Sequence, residues 1–186
     1  MTDTTLMIMA IVVALAVIAL VWMYMERRRE ERLRGRFGPE YERTIDAVGT
    51  PARAATVLAD REKRVAAYHI RRLNKEERTR FSDAWRGVQA KFVDDPAGAV
   101  TEADQLVTEV MTTRGYPMSD FDRRAEDLSV DHGPVVNHYR AARDIAARHA
   151  GHTATTEDLR QALVHYRALF ADLLEEQPHD AVRRSA

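Results

Sequence analysis

The polarity pattern along the chain changes character once, near residue 26. From Leu6 to Met25 there are twenty residues without a charge, and neither glycine nor proline interrupts them. At a rise of 1.5 Å per residue such a helix covers about 30 Å, the thickness of a bilayer's hydrocarbon core. Trp22 and Tyr24 fall at the far end of the run, where amphipathic rings prefer the headgroup level. The pattern therefore predicts one transmembrane helix over residues 6–25. Beyond it the apolar residues recur at helical spacing, and strand-like alternation is nearly absent.

Proline, glycine and capping residues divide the remainder. The arginine-rich stretch continues the membrane helix to about Arg36, and Gly38-Pro39 breaks it. A short helix then carries Tyr41, Ile45 and Val48 and ends at Gly49. Thr50-Pro51 opens a charged, alanine-rich helix to about His69. Asn74 with Glu77 matches a capping box, and the helix it starts places Phe81, Trp85, Val88 and Phe92 on one face. Asp95-Pro96 starts the next, closed by Gly115. Ser119 with Asp122 is expected to cap a short segment around Phe121, Ala125 and Leu128. Gly133-Pro134 opens a helix carrying Tyr139 and Ile145, ended by Gly151. Thr155 and Thr156 precede the last one, with Leu159, Leu163, Tyr166, Phe170 and Leu173.

The expected fold is all-α: one N-terminal transmembrane helix followed by a soluble bundle of about six helices. The expected organisation is an anchor over residues 1–25, a basic juxtamembrane stalk or helical hairpin over 26–72, a bundle core over 73–177 and a disordered tail over 178–186.

Charge adds an orientation. Residues 26–72 carry 13 basic and 8 acidic side chains, whereas the rest of the chain beyond them carries 15 and 20. Arg27, Arg28, Arg29, Arg32, Arg34 and Arg36 all follow the apolar run, while only Asp3 and the terminal amine precede it. By the positive-inside rule the bundle stays in the cytoplasm of a bacterial cell and the N-terminus lies outside. A cleaved signal peptide would need a basic leader and small residues at its end. Residues 1–5 have no basic side chain, and Val21-Trp22-Met23-Tyr24-Met25 is bulky throughout. With so few residues outside, an external ligand-binding role is not expected. The reversed topology would make the chain an envelope or secreted helical factor. Ala10 and Ala14 make a small-xxx-small pair that could seat a second copy, although such pairs are common by chance.

Chemistry is sparse. There is no cysteine, which excludes disulfides and thiolate sites. There is no phosphate-binding glycine loop, nucleophile elbow or nucleotide fingerprint, so no cofactor and no enzymatic activity are expected. The basic residues cluster beside the membrane instead of spreading over a folded face, so nucleic acid is not an expected partner. Asp131, His132 and His138 form the best local metal group, but they lack an HExxH pattern or a third ligand at fixed spacing. A helix cap at Asp131 and boundary histidines are the plainer reading. His138-Tyr139-Arg140-Ala141 recurs as His165-Tyr166-Arg167-Ala168. If those helices pack antiparallel, the tyrosines share the core and the histidines its boundary. Asp94-Asp95 reads as a cap before Pro96. Trp85, Tyr116, His138 and His165 are the candidates for an interaction face, with core burial the commoner fate of an aromatic such as Trp85 at helical spacing. Arg27, Arg28 and Arg29 read as topology determinants, with headgroup binding the alternative.

The run Trp85-Arg86-Gly87-Val88-Gln89-Ala90-Lys91-Phe92-Val93-Asp94-Asp95-Pro96 and the later Arg114-Gly115-Tyr116-Pro117 resemble an uncharacterised bacterial family of membrane-anchored or secreted all-helical proteins. So do Ser129-Val130-Asp131-His132 and Asp158-Leu159-Arg160-Gln161-Ala162 with His165-Tyr166-Arg167. The resemblance covers most of residues 37–175 and implies an anchored helical domain, with no activity to carry over. The functional expectation is a membrane-tethered interaction or scaffold module, whose partners are the lipid bilayer and an unidentified protein. A metal-dependent enzyme built on Asp131, His132 and His138 is the alternative.

Overall fold

The computed structural model describes residues 2–151 and 153–175 and contains eight α-helices. They are α1 (Thr2–Phe37), α2 (Pro39–Val48), α3 (Pro51–Ala66), α4 (Lys75–Lys91), α5 (Pro96–Arg114), α6 (Phe121–Asp131), α7 (Val136–Ala150) and α8 (Thr156–Leu174). No strand occurs among the described residues. The expected class holds: one long apolar helix, then a compact helical bundle.

Local chemistry explains most boundaries. Gly38 adopts φ 54°, a conformation side-chain-bearing residues rarely take, and Pro39 supplies the first turn of α2. The Thr50 side chain accepts from the Arg53 amide at 3.3 Å, and that of Asp95 from the Gly98 amide at 2.8 Å. Both halves of the Asn74–Glu77 capping box form, at 2.7 and 2.9 Å, and Thr155 with Asp158 builds another at the head of α8. Gly115 closes α5 at φ 96°.

Four expected details differ. The cap of α6 is Asp120, whose carboxylate accepts from the Arg123 amide at 3.0 Å; Ser119 sits one residue too early to reach that donor. α7 begins at Val136, because residues 132–135 make a tight turn in which both Val135 and Val136 amides donate to His132 O. α3 stops at Ala66, and after a turn at residues 67–68 residues 69–74 carry no regular secondary structure, with the Arg71 amide donating to Arg114 O at 2.8 Å. Asp131 ends α6 and caps nothing; it faces Arg36 at 3.7 Å.

Two apolar cores result. The larger gathers Phe81, Trp85, Val107, Met111, Leu128, Tyr139, Tyr166 and Phe170 from α4–α8. Residues 26–72, expected as a stalk or hairpin, contribute a smaller one: Leu33, Phe37, Tyr41, Ala55, Leu58 and Val65, with Val130 of α6. The α6 helix belongs to both, because Leu128 faces the first core and Val130 the second. The tail over 178–186 and the side chains of Leu6 and Ala10 lie outside the described residues.

Candidate functional site

α1 is unbroken from its apolar half into the second core. Its large apolar residues between Met7 and Met25 are all at least half exposed, whereas Leu33 and Phe37 are buried. It is the one helix among the described residues long and apolar enough to cross a membrane. Trp22 stands clear of the protein, and the Arg28 guanidinium lies over the Tyr24 ring at 5.0 Å. The arginine run is split by its partners. Arg32 and Arg36 reach Glu62 of α3 at 3.8 and 2.9 Å, and Arg34 reaches Glu30 and Glu42. Arg27, Arg28 and Arg29 are exposed and make no ion pair with the described residues.

The repeated tetrapeptides meet. α7 and α8 pack so that Tyr139 and Tyr166 are fully buried, while His138 and His165 stand half-buried at the boundary. Tyr166 OH donates to Asp104 Oδ1 at 2.9 Å, and the Tyr139 ring tilts against Phe121 at 4.9 Å. Burial raises the Tyr139 phenol to about 12. The two histidines approach through Nδ1 at 2.9 Å, one ring donating and the other accepting. Desolvation, then the neighbouring His138, hold His165 below the ordinary histidine value.

The residues of the metal alternative diverge. Asp131 turns to Arg36, His132 to Asp172, and His138 to His165. Among the described residues no three carboxylate or imidazole groups lie close enough to hold a metal ion. The His132 side chain is enclosed, with Nδ1 on Asp172 of α8 and Nε2 3.5 Å from Arg114 Nη1. Arg114 also donates to Leu173 O at 3.0 Å and to Arg71 O at 3.3 Å. This cluster ties the ends of α5, α6 and α8 together.

Two members of the candidate interaction face are not at the surface. Trp85 is 6 % exposed and stacks on Phe170 with ring centroids 4.7 Å apart. Tyr116 is 4 % exposed, its hydroxyl has no hydrogen-bond partner among the described residues, and burial raises its pKa. Both rings complete the main core.

A site the sequence did not point to lies where α2 and α3 meet α6 and α7. Glu40 is 1 % exposed. Its Oε1 accepts from Arg61 Nη1 at 3.1 Å and from Arg140 Nη2 at 3.0 Å. Glu126 lies 3.4 Å from Arg61 and 3.1 Å from Arg64, and Arg64 Nε donates to the buried Asp127 at 2.7 Å. Beside this seam opens a groove of roughly 470 Å³, with Arg43, Val48 and Val57 among its walls. In sequence, Glu40 looks like an ordinary first-turn acid favoured by the helix dipole. Its partners stand 21 and 100 residues away, with no periodic signal to join them.

No protein-family model matches the chain, nor does any curated protein or solved structure.

Proposed function

We propose that the chain is a single-pass membrane-tethered interaction module, with the helical bundle held on the cytoplasmic side as a docking platform for a protein partner. Kinship with the uncharacterised membrane-anchored family belongs to the same proposal, carried by the residue runs quoted above. The observation that carries the reading is the continuity of α1, which passes from an exposed apolar run into the buried Leu33 and Phe37 without a linker. Met25 and Leu33 are separated by about 12 Å of helical rise, so the anchor would hold the bundle just beneath the headgroups instead of on a flexible leash. Arg27, Arg28 and Arg29 fall within that gap and make no ion pair with the described residues, which supports both retention on the inner side and contact with lipid phosphates.

The chain has no cysteine, so single cysteines can report topology without background. We expect Thr4→Cys to react with a membrane-impermeant thiol reagent in intact cells, and the exposed Val93→Cys on the bundle to react only after lysis. Labelling of Val93→Cys in intact cells would reverse the topology. Crosslinking from Val93→Cys in native membranes tests the platform itself. Recovery of one defined protein, dependent on the apolar part of α1, is expected; a chain that crosslinks to nothing removes the scaffold role.

A further inference from the structure

We infer that the turn of α1 just below the apolar run binds a ring of anionic phospholipids, with a separate headgroup at each of Arg27, Arg28 and Arg29. The inference rests on the anchored reading and adds to it the class of lipid and the way it is held. Three observations carry it.

First, the structure divides the arginines of α1 into two groups. Arg32 and Arg36 engage Glu62, Arg36 also faces Asp131, and Arg34 engages Glu30 and Glu42. Those three are held by the protein. Arg27, Arg28 and Arg29 are exposed and make no ion pair with the described residues. Residues 26–29 thus set three guanidiniums against the one carboxylate of Glu26, all within about 6 Å of helical rise from Met25.

Second, Arg28 shows where such a side chain goes. Helical side chains lean toward the N-terminus of their helix, which here is the side of the apolar run. The Arg28 guanidinium lies over the Tyr24 ring at 5.0 Å, one turn back along α1. That is the level at which an amphipathic ring meets headgroups, and a guanidinium there presents its fork of N–H donors to phosphate oxygens. A choline or ethanolamine lipid brings its own cation to the same place. An anionic lipid brings none, so the electrostatic attraction falls to it.

Third, successive residues of an α-helix stand about 100° apart around its axis. Arg27, Arg28 and Arg29 therefore fan out over more than half of the helix circumference, too widely for one headgroup to reach all three. The arrangement suits several singly charged lipids, not one polyphosphorylated headgroup.

The test uses the full chain in vesicles of phosphatidylcholine and phosphatidylglycerol in equal parts, with brominated acyl chains on one lipid or the other. Trp22 is exposed on the same stretch of α1 and reports the lipid beside it, while Trp85, enclosed against Phe170, gives a constant background. Quenching should be stronger when phosphatidylglycerol carries the bromine. The attraction is about fivefold per arginine. Each of Arg27→Gln, Arg28→Gln and Arg29→Gln should therefore remove a similar share of the preference, and the triple variant should erase it. Arg34→Gln, whose partners are Glu30 and Glu42, should leave it unchanged. Equal quenching by the two lipids overturns the inference and leaves the anchor standing. No quenching by either overturns the anchored reading as well. Loss of the whole preference in a single variant, or stronger selection of a polyphosphorylated lipid at equal total charge, replaces the ring with one shared site.

Discussion

His138 Nδ1 and His165 Nδ1 lie 2.9 Å apart across α7 and α8, with ring centroids at 5.1 Å, so the two nitrogens stand between the rings as in an N–H···N hydrogen bond. Such a bond needs one bare nitrogen, and it is lost when both rings are protonated. His165 has a folded pKa below its ordinary 6.5, because burial and His138 disfavour its charged form. The unfolded chain therefore takes up the proton first. The pair's contribution is full above pH 6.5 and declines as the pH falls from there through the lower folded value. The melting temperature should drop between pH 7 and 5, and His165→Gln should flatten that part of the profile. Identical profiles for the two proteins would refute a role for the pair.

Gly133 shows how closely α1 docks on the bundle. A Cβ built there would lie 2.6 Å from Arg36 O and 2.8 Å from Phe37 Cα, all rigid backbone. Gly133→Ala should cost about 1–3 kcal/mol by prising the end of α1 from the turn before α7. Gly87 is the control: it sits in the interior of α4, and a Cβ there meets nothing within 4 Å. Gly87→Ala should stabilise by about 0.4–1 kcal/mol. Thermal denaturation of both variants reads the contrast, and a neutral Gly133→Ala would show that α1 is not fixed against the bundle.

Asp127 holds the charged seam from the α6 side. It is 1 % exposed and accepts from Arg64 Nε at 2.7 Å and from Tyr68 OH at 3.1 Å. Removing one member of a buried, hydrogen-bonded pair leaves its partners unmet. Asp127→Ala should cost about 3 kcal/mol, near the low end for such pairs because Glu126 remains beside Arg64 at 3.1 Å. Amide exchange should rise first in α2 and α3, with α4 and α5 keeping their protection. Uniform loss across all helices would mean that the seam and the main core open as one unit.

The two tryptophans divide the molecule's environments. Trp22 is 68 % exposed on the apolar half of α1, whereas Trp85 is enclosed against Phe170. In vesicles carrying brominated acyl chains, Trp85→Phe should retain strong quenching and Trp22→Phe should lose it. Persistent emission from Trp85→Phe would place α1 outside the bilayer.

Helix ends were legible because their causes are local. Asn74 meets Glu77 and Thr155 meets Asp158 across a single turn, and Gly38, Gly49 and Gly115 supply the positive φ that stops a helix. The apolar run was legible for a related reason: length and the lack of charge are properties of one segment alone. The cap of α6 was misplaced because Ser119 and Asp120 are both good caps, and only the first helical turn selects between them.

What lay beyond the sequence were choices between two allowed fates. Trp85 at helical spacing suits a core or an exposed face, and Phe170 of α8, far along the chain, is what covers it. His138 could have met His132 in a metal site, yet α8 brings His165 to one histidine and Asp172 to the other. Glu40 shows the difference most clearly. By itself it determined a favourable first turn for α2, a matter of helix dipole and short range. Tertiary packing made it the shared acceptor of Arg61 and Arg140, because burial against α3 and α7 removed the water that would otherwise have solvated its charge.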